Sequence, residues 1–150
     1  MIHDDLNRFN DQQAVTTTAV STDVIDLSAD RNLGIGRDMS VAFLIDVAAD
    51  VADADETYEL EVETSTDEAF TTPISLAKRT FTNAQAAAEL IVGEKVVLPI
   101  AQDERCERYL RTKITTTGTS PSITYTSVLQ PSDAIDNEVR GGYPNNSTIS

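Results

Sequence analysis

The chain has 150 residues, 40% of them apolar, and sets 11 Lys and Arg against 25 Asp and Glu for a formal net charge of −14. That is one domain with enough material for a core, and its charge repels a nucleic-acid backbone over most of the surface. One histidine, His3, and one cysteine, Cys106, exclude a zinc or histidine-ligated centre and an internal disulfide, and leave a nucleophile–histidine pair only a histidine near the N-terminus.

Residues 1–14 are polar apart from three apolar anchors, Ile2, Leu6 and Phe9, and read as an arm that orders against a neighbour in an assembly. They show neither the basic start nor the apolar run of a signal peptide. No segment approaches the roughly 18 apolar residues of a membrane span. A soluble protein made without export, with no membrane partner and no cofactor, is the expectation.

Threonine supplies nineteen residues, many alternating with Val, Ile, Leu or Tyr, and β-branched side chains fit a pleated surface better than a helix. Short strands are predicted at Val15–Val20 and Val24–Leu27. The turn Gly34-Ile35-Gly36 is followed by Arg37 and then by Val41–Val47, apolar on both faces until Asp46 as a central strand is. Gly34-Ile35-Gly36 is no phosphate cradle, because a strand rather than a helix follows it.

The loop Asp50-Val51-Ala52-Asp53-Ala54-Asp55-Glu56 comes next. Its four carboxylates, Asp50, Asp53, Asp55 and Glu56, are the only metal candidates, with calcium the fitting ion, although the spacing is not that of an EF-hand. A solvated connector is the plainer reading. Thr57–Glu63 then alternates strictly, placing Tyr58, Leu60 and Val62 on one face and Glu59, Glu61 and Glu63 on the other, which is read as solvent-facing. Neighbouring glutamates on an open strand face, with no Trp and only eight aromatic residues in the chain, do not make a glycosidase.

Ile74–Phe81 is a further strand. Residues 83–90 read as a short helix, with Asn83 as N-cap and Gly93 beyond its end, or as an irregular crossover. Glu94–Ile100 is a strand whose Pro99 places it at a sheet edge or a strand end. Arg105, Arg108, Arg111 and Lys113 concentrate the positive charge, and two roles compete for them: cross-strand pairing with the glutamate face, or docking on an acidic partner or subunit surface. Cys106 lies among them without a resolving cysteine or a nearby base and is a passive thiol.

Leu110–Thr117 turns Leu110, Thr112 and Ile114 inward, and Ser122–Leu129 does the same with Ile123, Tyr125 and Leu129. From Pro131 the chain is polar and loop-prone. The division predicted is an arm at 1–14, a β domain at 15–130 and a tail at 131–150. About eight short antiparallel strands with regular loops imply an all-β sandwich, jelly roll or barrel. Val24, Ile25, Leu27, Phe43, Ile45, Tyr58, Leu60, Val62, Leu76, Leu110, Ile114, Ile123 and Tyr125 are the expected core.

Read in order, five segments resemble the capsid cement, or decoration, proteins of short-tailed bacteriophages. They are Asn10–Thr16 with Thr18–Leu27, the turn Ile35-Gly36-Arg37-Asp38, the corner Thr64-Ser65-Thr66-Asp67, Glu107-Arg108-Tyr109-Leu110-Arg111, and Thr116-Thr117-Gly118-Thr119. The resemblance spans about residues 1–130 and has no counterpart for loop 50–56 or for the tail after Pro131. It implies an antiparallel jelly roll that trimerises, sits on the outside of the expanded, DNA-filled head and bridges neighbouring copies of the major capsid protein. It implies no catalytic residue and a virion location after synthesis in the host cytoplasm. The residues themselves offer Ile2, Leu6, Phe9, Arg37, Arg105, Arg108, Arg111 and Lys113 as the capsid or subunit interface. The alternative is a carbohydrate-binding or adhesion module with calcium in loop 50–56, although sugar platforms normally use exposed aromatics.

Overall fold

The computed structural model describes residues 7–27, 39–100 and 106–131. In chain order these form β1 (Arg8–Val15), β2 (Ala19–Val20), β3 (Ile25–Asp26), β4 (Met39–Val47), β5 (Thr57–Ser65), β6 (Ile74–Phe81), α1 (Asn83–Glu89), β7 (Lys95–Ile100), β8 (Tyr109–Thr117) and β9 (Ile123–Pro131). Among the described residues most segments in which β-branched or aromatic residues alternate with polar ones have become strands, and all the pairings are antiparallel. Val15–Val20, expected as one strand, is instead the bend from β1 into β2.

Two sheets pack into an all-β sandwich. One has the order β1-β9-β4-β7, and the other β2-β8-β5-β6 with β3 also pairing to β8. The apolar run of β4 lies between β9 and β7, as a strand buried on both faces must. Pro99 lies in the edge strand β7, where its missing N–H leaves no ladder bond unmade.

Side chains from both sheets meet in one core. Phe43 and Tyr125 stack with ring centroids 5.7 Å apart, and Phe9, Tyr58, Leu60, Phe81, Leu90, Leu110, Ile114 and Ile123 are fully enclosed around them. Of the thirteen residues expected inside, ten are buried, while Leu27 and Leu76 pack against the core partly exposed and Val24 is half-buried. The core also takes in Phe81, Leu90 and Cys106, none of which alternation marks.

Three expectations are corrected. Residues 8–14 are not arm: Arg8–Val15 is a full edge strand along β9, and Phe9 is a core side chain, so the domain begins at Arg8. Its sequence hides this because the strand is irregular, with register shifts between Arg8 and Gln13 and a positive φ of 47° at Gln12 that break period-two alternation. Ile2 and Leu6 lie outside the described residues, as does the tail from 132 on.

The helix N-cap is Thr82 rather than Asn83. Thr82 and Gln85 form a reciprocal capping box, in which Gln85 N–H donates to the Thr82 hydroxyl at 3.4 Å and Thr82 N–H donates to the Gln85 side chain at 3.0 Å.

Two of the three glutamates of β5 are not solvated: Glu61 is 8% and Glu63 only 4% exposed, while Glu59 is half-buried. They do lie across the strand from Tyr58, Leu60 and Val62, but the neighbours described next cover them.

Candidate interaction surface

The outer face of β5 is built by register. Glu63 lies opposite Arg111 and Glu61 opposite Lys113, so the carboxylates of one strand meet the cations of the next. Arg111 Nε donates to Glu63 Oε2 at 2.7 Å, and Lys113 Nζ lies 3.6 Å from Glu63 Oε1. Phe70 folds back over this triad from the loop after β5, its ring centroid 4.1 Å from the Arg111 guanidinium carbon. Phe70 has a φ of 53°, a left-handed conformation that costs a non-glycine residue energy and here seats the ring over the cation. On the other flank Lys78 lies 3.8 Å from Glu59, and Thr80 donates to the same carboxylate at 3.1 Å.

Arg108 is used separately. Its Nε and Nη2 donate to the two carboxylate oxygens of Asp26 at 2.8 and 3.0 Å, clamping β3 to the start of β8. This bidentate pair raises the guanidinium pKa above its already high ordinary value, chiefly through the hydrogen bonds and charge of Asp26. The predicted basic group is therefore divided. Arg111 and Lys113 share Glu63, Arg108 holds Asp26, and Arg37 and Arg105 lie outside the described residues. Cross-strand pairing is the role the described members fill.

Loop 50–56 does not gather its carboxylates. Asp50 Oδ1 accepts from the Ala52 N–H at 3.0 Å. Asp55 turns away to accept from the Thr119 N–H and hydroxyl, both at 3.0 Å, and these bonds hold its pKa below the usual carboxylate value. Glu56 is fully buried, taking the Asp53 N–H at 3.2 Å and the Asn83 amide at 2.8 Å. Asn83 also donates to the Val51 carbonyl at 3.1 Å, so the loop is fastened to the first turn of α1. Tyr58 closes the other side by donating its hydroxyl proton to the Asp50 carbonyl at 2.6 Å and accepting from Ser122 N–H at 3.1 Å.

Among the described residues no three His, Cys, Asp or Glu side chains converge as metal ligands. The acidic loop is a structural knot, and what looked like a ligand set is a set of hydrogen-bond acceptors. No described helix is long and apolar enough to cross a membrane.

The Bbp16 family model matches residues 9–128. This chain belongs to the Bbp16 family. No curated protein matches it. The Bbp16 match starts at Phe9 in β1 and ends at Val128 in β9, so the family unit is the whole sandwich, including the edge strand that sequence reading had assigned to an arm.

Sequence reading passed over Phe70 and the apolar residues Val47, Ile91 and Val92, which the fold leaves exposed. The dipeptide Ile91-Val92 is legible in retrospect, as two large β-branched residues standing before Gly93 outside any strand.

Proposed function

We propose that this protein is a non-catalytic structural protein of a bacteriophage head, an antiparallel jelly roll that binds the outside of the expanded shell as a homotrimer and holds neighbouring capsid subunits together. The strand order carries the reading. With β2 and β3 counted as one interrupted strand, eight strands remain, and their chain positions alternate between sheets as 1-8-3-6 and 2-7-4-5. This is the order that a double Greek-key jelly roll would have, and it supports the fold that the resemblance to capsid cement proteins implies. The four segments of that resemblance within the described residues fall in β1 to β3, at the end of β5, at the start of β8 and at its far end.

The side chains support a mechanical role. Three of the four carboxylates of loop 50–56, those of Asp50, Asp55 and Glu56, and the cations of β8 hold strands and loops together. A DNA-filled head presses outward, and a rigid sandwich fixed across subunit boundaries opposes that strain without chemistry, many modest contacts acting together. The −14 charge keeps the free protein soluble.

The test is to mix the purified chain with expanded heads assembled without it. Binding at fixed stoichiometry, with a rise in the temperature at which the heads break, is expected. Sedimentation velocity should give a trimer that is indifferent to calcium. Heads that neither bind nor gain stability overturn the proposal, and a monomer that assembles only with calcium points to the binding-module alternative.

A further inference from the structure

We propose that the corner formed by Val47, Ile91 and Val92 is the face that docks on the shell, against an apolar patch with a basic rim on a different protein. The inference rests on the function proposed above and names its contact surface.

The end of β4 and the turn after α1 run antiparallel, held by Gly93 N–H to the Ile45 carbonyl at 3.0 Å, Ile45 N–H to the Glu94 carbonyl at 3.0 Å and Ala49 N–H to the Leu90 carbonyl at 2.9 Å. This register brings Val47 alongside Ile91 and Val92. The three are 55%, 41% and 66% exposed, and they account for three of the five large apolar residues exposed among the described ones. Single exposed apolar residues are ordinary; three in one place mark a contact surface. The preceding helix α1 carries three further exposed small apolar residues, Ala84, Ala87 and Ala88, which share one helical face.

Charge selects the occupant. The two segments that make the corner carry Asp46, Asp50 and Glu94 against Lys95, while Glu89 is paired to Arg79. A second copy of this chain is a poor complement. Arg8, Lys78, Arg79, Arg108, Arg111 and Lys113 are each paired to a carboxylate of their own chain, and Lys95 is also engaged. A second copy carries the same net charge of −14, so the acidic rim fits a partner that brings its own basic groups.

The experiment compares the native chain, the double variant Val47→Asp/Val92→Asp, the rim variant Glu94→Lys and the control Ile74→Asp in co-sedimentation with expanded heads lacking this protein. Ile74 is also exposed but lies at the start of β6. The double variant should lose about tenfold or more in apparent affinity, with an unchanged melting curve and native mass. Glu94→Lys should bind more weakly and with less salt dependence, and Ile74→Asp should bind as the native chain does.

Native-like binding by the double variant overturns the assignment of this corner while leaving the proposed function standing. A changed native mass overturns it in favour of a self-contact, and equal loss in Ile74→Asp overturns its specificity. No binding by the native chain overturns both proposals.

Discussion

The side-chain amide of Asn10 completes the ladder between β1 and β9 where the backbone cannot. Its oxygen accepts from the Ser127 N–H at 2.8 Å and from the Ser127 hydroxyl, and its nitrogen donates to the Tyr125 carbonyl at 3.0 Å. The register slips on both sides of Asn10, so the amide stands in for bonds that the bulges remove. Ser127 in turn contacts the Thr112 hydroxyl at 3.0 Å, which carries the polar chain across the core to β8 of the opposite sheet. Asn10→Ala strands a buried N–H and should cost about 1–3 kcal/mol, seen as a lower urea midpoint with an unchanged slope. Removing residues 1–12 also takes out Phe9, whose loss alone costs about 3–5 kcal/mol; the truncated chain should melt far lower even without any partner.

Glu63 holds Arg111 and Lys113 together beneath Phe70. Glu63→Gln removes the carboxylate that both mostly covered cations share, leaving Glu61 opposite Lys113 as the nearest acidic residue in register. It should lower unfolding free energy by roughly 2–4 kcal/mol. A double-mutant cycle with Arg111→Met should return much of that loss, because an apolar pair has no charge to desolvate.

Gly118 marks a close approach. A β-carbon there would lie 2.7 Å from both the Asp55 carbonyl oxygen and the Glu56 α-carbon, and its φ of +101° is one that L residues rarely adopt. Gly118→Ala should destabilise by about 2 kcal/mol or more. The variant should also separate the Asp55 carboxylate from Thr119, returning the Asp55 pKa toward the usual value in a carbon-detected NMR titration.

Burial pushes the Tyr125 hydroxyl up to about 12, from an ordinary value of 10.0, and pushes Tyr58 up as well. The unfolded chain therefore gives up these protons first. Between pH 10 and 12 it binds fewer protons than the folded one, so stability present below pH 10 falls as pH rises, by about 1.4 kcal/mol per unit for Tyr125. Tyr125→Phe should flatten that decline in thermal melts across the window, at little cost at neutral pH.

Strand existence was legible wherever one face is apolar and the other polar: Thr57–Glu63, Ile74–Phe81, Leu110–Thr117 and Ser122–Leu129 all lie within or match observed strands. Alternation reports which side of a strand is buried, and so it placed Tyr58, Leu60 and Val62 correctly. It cannot report what covers the other side. Glu61 and Glu63 were read as solvated because their cover, Arg111, Lys113 and Phe70, comes from other segments. β1 was missed because its bulges spoil the period, and Asn10, polar and fully buried, looks like a loop residue until its partner 117 positions away is in view. The basic residues were found in sequence, but sharing between Arg111, Lys113 and Glu63 is a matter of register, which composition does not carry.

The strand pairing also sets a timetable. Within its sheet β1 pairs with β9 alone, and β9 in turn is the strand on which β4 closes. On a ribosome, β1 must wait for the last strand before its ladder can form, although its bonds to residues 20–23 can be made earlier. The four-stranded sheet can close only when synthesis of the domain is complete, and such distant pairings form slowly. Nascent chains halted before residue 123 should leave β1 open to proteolysis, which places the closing of the sandwich after its last strand has emerged.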